Sequence, residues 1–138
     1  MFSIILDLVL LEVGLRIANL GYGTSPLESD SVFHHVHPKS YNFLSYSPNG
    51  EYGGHQVFYD QYGLVADPDG EAAKNTNCRI AFLRDFFTEA SQVAYNKSFV
   101  GLVESTTNST VRNYGVSSYS PIFYILQWKH LVSYTKPR

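Results

Sequence analysis

RIAFL, at residues 79–83, is a short apolar run between polar segments, as buried strands of parallel sheets are. A polar turn follows it, and residues 98–104 then place Phe99, Leu102 and Val103 at helical spacing. Ser98 stands where a helix N-cap residue is expected. The pattern predicts a strand, a turn and a helix in succession.

The same order of elements recurs further along the chain. Residues 110–116, TVRNYGV, predict a second strand. Ser120 and Pro121 supply a cap and a first-turn proline for a second helix, whose apolar side includes Ile125 and Trp128. Strand, crossover helix, strand and helix together predict an α/β fold with a right-handed crossover.

The sequence given ends at Arg138, directly after this second helix. We therefore expect an incomplete parallel sheet, made of the first two β-α units. Such a sheet leaves backbone N–H and C=O groups unpaired along its edge. Low thermal stability, and self-association or binding of a partner chain through the open sheet edge, are the expected consequences.

Residues 1–23 are predicted to contain an apolar, amphipathic helix that ends near Gly21 and Gly23. Apolar residues recur at the spacing of one helix face: Ile4, Leu8, Leu11 and Leu15. Charged side chains interrupt the run at three positions: Asp7, Glu12 and Arg16. These charges argue against a transmembrane span, so we expect a helix that packs on the domain or contacts a membrane surface peripherally with residues 1–20.

Residues 24–77 form an irregular region rich in Tyr, Gly and Pro. Residues 41–46 and 56–59 flank the turn-rich segment SPNG at 47–50, which predicts a hairpin. The turn DPDG at 67–70 precedes the next part of the chain. We therefore divide the chain into the helix of 1–23, this region and an α/β core at 78–138.

The composition excludes several classes of function. Ten Lys and Arg against 12 Asp and Glu give a net charge of −2, which lacks the basic footprint of a nucleic-acid-binding protein. The single cysteine, Cys78, forms no intramolecular disulfide and no Cys-x-x-Cys site. No cofactor is predicted. The cellular location stays open, because the N-terminal helix is compatible with both a membrane-associated and an extracytoplasmic location.

Two segments of the core resemble the SGNH, or GDSL-type, hydrolases: IAFLRDFFTEA at 80–90 and VRNYGVSSYS at 111–120. In that family a first strand ends in Gly-Asp-Ser, often followed by Phe-Thr-Glu, and a second strand ends in Asn-x-Gly. YDQYGL at 59–64 also resembles an element that precedes the core in some bacterial members. The resemblance implies a flavodoxin-like parallel sheet and hydrolysis of an ester or acyl bond through a seryl acyl-enzyme.

The departures from the family pattern concern the chemistry itself. The resemblance places the motif glycine at Arg84, its aspartate at Asp85 and the nucleophilic serine at Phe86. It places the glycine whose N–H helps to bind the oxyanion at Gly115. The later landmarks Gly-x-Asn-Asp and Asp-x-x-His are absent, so base, orienting residue and nucleophile are all missing. We therefore expect no catalytic residue and an inactive chain.

Other residues that bear chemistry have simpler interpretations. Thr88 and Ser91 carry hydroxyls near Phe86, but an isolated hydroxyl is more often solvated than reactive. His130 can be imagined as a base, and a surface position at the end of a helix is the favoured interpretation.

Two further patterns leave alternative functions open. HHVH at 34–37 is the only metal-like cluster, but only His55 and scattered carboxylates are there to complete it. A polar loop is favoured there and no metal site is predicted, while metal binding by this cluster is kept as the third hypothesis. Tyrosines at 41–62 suit half-buried strands, or a face that stacks on sugars. A non-catalytic glycan- or protein-binding module that uses this segment and the open sheet edge is therefore the alternative function.

Overall fold

The computed structural model describes residues 2–17, 25–46, 53–67, 79–107 and 109–133. Predictions at Gly21, Gly23 and Cys78, in the turn at 47–50 and in most of the turn at 67–70 lie outside the described residues.

The first element is helix α1, Phe2–Ile17. Its large apolar side chains between residues 4 and 15 are 44% to 63% exposed. Since Ile4, Ile5 and Leu6 are consecutive, they point in three directions around the helix, and no single face can bury them all. The expectation that α1 packs on the domain is therefore wrong for these residues, whereas contact with a membrane surface stays a prediction. No helix in the described part of the chain combines the length and apolar character needed to cross a bilayer.

Seven strands follow in chain order: β1 Glu28–Asp30, β2 His34–Val36, β3 Tyr41–Ser45, β4 His55–Tyr59, β5 Val65–Ala66, β6 Ile80–Phe82 and β7 Val111–Asn113. Three further helices lie between and after the last strands: α2 Phe86–Glu89, α3 Phe99–Thr107 and α4 Pro121–Gln127. A 3₁₀ turn, Tyr95–Lys97, precedes α3, and a π-helical turn, Trp128–Val132, continues α4.

The main sheet has five strands in the order β3-β4-β5-β7-β6, while β1 and β2 form a separate antiparallel pair. Among the described strands, only β6 and β7 run parallel, with Ala81 beside Arg112. The α/β character and the hairpin of β3 and β4 are confirmed. The expected two-stranded parallel sheet is wrong in extent, because β5 pairs antiparallel with β7 through Val65 and Asn113. The sheet therefore joins the predicted 24–77 region to the 78–138 core, and the inner side of β7 is covered.

The turn between β4 and β5 makes this pairing possible. The Asp60 carboxylate accepts hydrogen bonds from the N–H groups of Tyr62 at 2.7 Å and Leu64 at 2.9 Å. Gly63 lies at φ +79°, and a Cβ there would come within 2.7 Å of the His37 carbonyl oxygen. Glycine avoids both the left-handed strain and this clash, so the chain reverses tightly and brings Val65 beside β7.

The two predicted core helices form where the sequence places them. Ser98 caps α3, since its hydroxyl oxygen accepts a hydrogen bond from the Gly101 N–H at 3.1 Å. Pro121 occupies the first turn of α4, although the Ser120 side chain makes no capping hydrogen bond. Tyr114 and Val132 pack with Leu64 in an apolar cluster.

Candidate functional site

The two sequence landmarks meet at the carboxyl ends of the parallel strands. Phe82 stands beside Asn113 in the register of β6 and β7. Beyond the strands the Tyr114 N–H donates to the Phe82 carbonyl at 2.8 Å, and the Val116 N–H donates to the Arg84 carbonyl at 3.2 Å. Parallel strands bring such ends to one edge of a sheet, which is where α/β enzymes place their sites.

Helix α2 begins at the position that the resemblance assigns to a nucleophile. Asp85 is its N-cap, and its carboxylate accepts a hydrogen bond from the Phe87 N–H at 3.2 Å. Phe86 and Phe87 are 37% and 67% exposed, with ring centroids 4.2 Å apart. Arg84 is also exposed. The start of α2 therefore presents two phenyl rings and no hydroxyl.

Gly115 lies in close contact with the backbone of α2. A Cβ on Gly115 would stand 2.2 Å from the Glu89 nitrogen and 2.6 Å from the Thr88 carbonyl carbon, so only glycine fits. Its N–H donates to the Asn113 side-chain oxygen at 2.9 Å, and the Asn113 amide donates to the Thr88 carbonyl at 2.6 Å. The N–H assigned to the oxyanion hole is thus occupied by Asn113 in this conformation.

The carboxylate of Glu89, at the end of α2, is the centre of a buried polar cluster. One oxygen accepts hydrogen bonds from the backbone N–H of Ser117 at 2.8 Å and from its hydroxyl at 2.6 Å. The other accepts from the Ser25 hydroxyl and, at 3.5 Å, from the Tyr59 hydroxyl. Both the Glu89 and the His37 side chains have no exposed surface, and His37 Nε2 lies 3.3 Å from this second oxygen.

His37 is held from several sides. Its Nδ1 lies 3.3 Å from the Gly63 carbonyl oxygen, while its Nε2 faces Glu89. Its ring stacks on that of Tyr59, with centroids 4.2 Å apart and planes nearly parallel at 4°. Both ring nitrogens therefore face protein oxygens, and neither is in position to take a proton from a serine hydroxyl.

The electrostatics of the cluster favour a fixed charge. Burial alone would raise the pKa of Glu89, but the adjacent His37 and the hydroxyls of Ser117 and Ser25 outweigh it and lower that pKa to about 2. Burial, together with the Glu89 charge, raises the pKa of the Tyr59 phenol. A carboxylate with so low a pKa is a weak base near neutral pH. The cluster therefore ties α2 to the sheet and to the segment around His37.

The remaining candidate residues for catalysis lie apart from one another. Thr88 is buried under α2, and the Ser91 carbonyl accepts hydrogen bonds from Ser45 and His55, both at 2.8 Å. His130 is exposed on the π-helical turn, with its ring 6.3 Å from that of Phe33. In the part of the chain that the structure describes, neither the Thr88 hydroxyl nor the Ser91 hydroxyl is hydrogen-bonded to an imidazole.

The histidine segment differs from the predicted polar loop. His34 and His35 lie in β2, while His37 is buried against Glu89, so the three imidazoles do not converge. The hydrogen bonds of β1 and β2 impose this arrangement, since they hold the segment as a strand. Within the described residues, no group of three or more His, Cys, Asp or Glu is placed to hold a metal ion.

The tyrosines do not share one surface. Tyr41 and Tyr62 are 44% and 42% exposed, whereas Tyr59, the last residue of β4, is fully buried and its hydroxyl faces Glu89. Glycan binding by this segment stays a prediction.

Sequence reasoning missed the pairing of His37 with Glu89 and the role of Asn113 as a brace. Glu89 was visible as part of the Phe-Thr-Glu continuation, but glutamate is rarely buried, so no sequence signal indicated its burial. Comparison with protein-family models, with curated proteins and with solved structures found no match.

Proposed function

We propose that the chain is a catalytically inactive, hydrolase-like α/β module related to the SGNH hydrolases, with a flavodoxin-like core that is incomplete. The single observation that carries this proposal is Phe86 at the start of α2. It follows β6, which runs parallel to β7, at the position that the resemblance assigns to the nucleophile, and its side chain is a phenyl ring.

The surroundings of Phe86 support the same conclusion. Ester hydrolysis through an acyl-enzyme needs a hydroxyl, a base within hydrogen-bond reach and donors for the oxyanion. The Gly115 N–H already donates to Asn113, and both nitrogens of His37 face protein oxygens. Loss of one oxyanion donor alone costs on the order of 10²–10³ in rate. The ancestral chemistry, ester or acyl hydrolysis, therefore has no support from these side chains.

The test is hydrolysis of p-nitrophenyl acetate together with labelling by a fluorophosphonate probe. We expect a rate equal to that of the heat-denatured chain and no label. Phe86→Ser restores the hydroxyl but no base, so it should also stay unlabelled. Turnover by the wild-type protein that Ser117→Ala or Thr88→Ala abolishes would refute the proposal and identify the hydroxyl responsible.

A further inference from the structure

His34 and His35 are neighbours in β2 whose rings lie side by side. Successive side chains of a regular strand point to opposite faces. His34 has φ +65°, in the left-handed region, and this breaks the alternation. The two Nδ1 atoms lie 3.0 Å apart, with ring centroids 5.3 Å apart and planes almost perpendicular at 88°.

The contacts of His35 fix its tautomer. Its Nε2 lies 2.9 Å from the Ser117 carbonyl oxygen, which can only accept a hydrogen bond. The proton of a neutral His35 ring is therefore on Nε2, and Nδ1 carries a lone pair. The Tyr119 ring packs edge-on at 5.0 Å, and its hydroxyl donates to the His35 carbonyl. A histidine that donates one N–H to a backbone carbonyl and offers the other nitrogen has the orientation found in metal ligands.

His34 supplies the second nitrogen. Its Nδ1 is hydrogen-bonded to His35 Nδ1, so it carries the shared proton when His35 presents its lone pair. Because the His34 side chain is exposed, this proton can move to Nε2 through solvent, which leaves the Nδ1 lone pair for a metal ion. The backbone strain that places it beside His35 is of the kind that clusters at ligand clamps.

The spacing of the two nitrogens indicates the geometry of the ion. With metal–nitrogen bonds of about 2.0–2.1 Å, a right angle at the metal separates two ligand nitrogens by about 2.8–3.0 Å, and a tetrahedral angle by about 3.3–3.4 Å. The observed 3.0 Å fits the right angle. Tetragonal geometry with imidazole ligands is typical of Cu(II), which also binds most tightly among the divalent first-row ions.

We propose that the Nδ1 atoms of His34 and His35 form a two-imidazole binding site for Cu(II) on β2. Water or small anions complete the coordination, since no third His, Cys, Asp or Glu in the described ranges joins the pair. His37 takes no part, because it is buried against Glu89. The site is independent of the proposed function and lies outside the hydrolase-like motif.

The experiment is a titration of the full chain with Cu(II), with glycine as a competing ligand, followed by visible absorbance and electron paramagnetic resonance. We expect one equivalent to bind, with an axial spectrum split by two nitrogens. His34→Ala and His35→Ala should each weaken binding at least about tenfold, since loss of even an outer-shell partner costs that much. His130→Ala, another exposed histidine, is the matched control and should bind as the wild type does.

His34→Ala is the decisive variant, because His34 is exposed and its loss should leave the fold intact, as circular dichroism can verify. If His34→Ala retains wild-type affinity, or if the wild-type protein binds no stoichiometric Cu(II) against glycine, the proposal is wrong. Should His35→Ala fail to fold, His35→Gln replaces it, because glutamine can still donate to the Ser117 carbonyl and lacks the imidazole.

Discussion

Glu89→Gln removes one buried charge and keeps the shape of the side chain. The substitution leaves a neutral amide opposite His37, and one of its two ends is now an NH₂ group. Either that group faces the donors of Ser117, or it faces the hydroxyl of Ser25 and His37 Nε2. In both orientations at least one buried donor loses its acceptor.

The magnitude follows from the pKa. A carboxyl pKa lowered from its ordinary 4.5 to about 2 corresponds to about 3 kcal/mol of stability near neutral pH, at about 1.4 kcal/mol for each tenfold step in the proton equilibrium. A buried donor left without its acceptor costs about 1–3 kcal/mol more, which is of the same order. Against a typical total of about 5–15 kcal/mol, Glu89→Gln should remove a large share of the free energy of unfolding.

The assay is urea unfolding at pH 7, followed by far-UV circular dichroism. Glu28→Gln, in exposed β1, is the matched control and should change the free energy of unfolding by less than about 0.5 kcal/mol. A double variant with His37→Gln should lose less than the sum of the two single losses, because the two side chains interact directly. A loss below about 1 kcal/mol for Glu89→Gln would refute the view that this carboxylate stabilises the fold.

Three further predictions concern the acid stability of the fold, the close approach at Gly115 and the N-cap of α3. Because folding lowers the pKa of Glu89, its contribution to the free energy of unfolding is present above about pH 4.5 and is lost as the pH falls toward about 2. Unfolding measured at a series of acid pH values should show this loss in the wild type. An identical acid profile in Glu89→Gln would contradict the prediction. Gly115→Ala should lower the free energy of unfolding by more than about 3 kcal/mol in thermal or urea unfolding, since its Cβ would stand 2.2 Å from a backbone nitrogen. Gly14→Ala is the control and should not destabilise the fold, because nothing lies within 4 Å of its Cβ position. Equal effects of the two substitutions would show that the close approach at Gly115 does not require glycine. Ser98→Ala should cost about 1 kcal/mol in the same measurement by removing the cap on the Gly101 N–H, and an unchanged midpoint would argue against the cap.

Local sequence signals predicted the local structure well. Ser98 and Pro121 marked the starts of α3 and α4, and the turn-rich segment at 47–50 marked a hairpin between β3 and β4. The meeting of the two motif strands also followed from their parallel course.

The sequence pattern did not predict how many strands join the main sheet. β5 contains only Val65 and Ala66, which is too short to show a period, and its pairing with β7 depends on the turn at Asp60 and Gly63. Antiparallel addition of a two-residue strand leaves no signature in composition or spacing.

The candidate site was predictable only in part. Phe86 and Gly115 could be located from the motif, since each follows a recognisable strand. The contact of Glu89 with His37 and Ser117 joins three distant segments, and no periodicity relates them. His34 and His35 lie on the same side of β2 because His34 has a positive φ, and no residue pattern specifies that angle.

The contact between His35 and Ser117 also bears on how the chain folds as it is made. The two residues are 82 positions apart in the sequence. At a synthesis rate of about 5–20 residues per second, roughly 4–16 seconds pass between the translation of His35 and that of Ser117. Contacts of such long range make folding slow and keep early segments open to wrong associations. Until Glu89 and Ser117 have been translated, His37 and the β1–β2 pair therefore lack the partners that hold them in the folded chain.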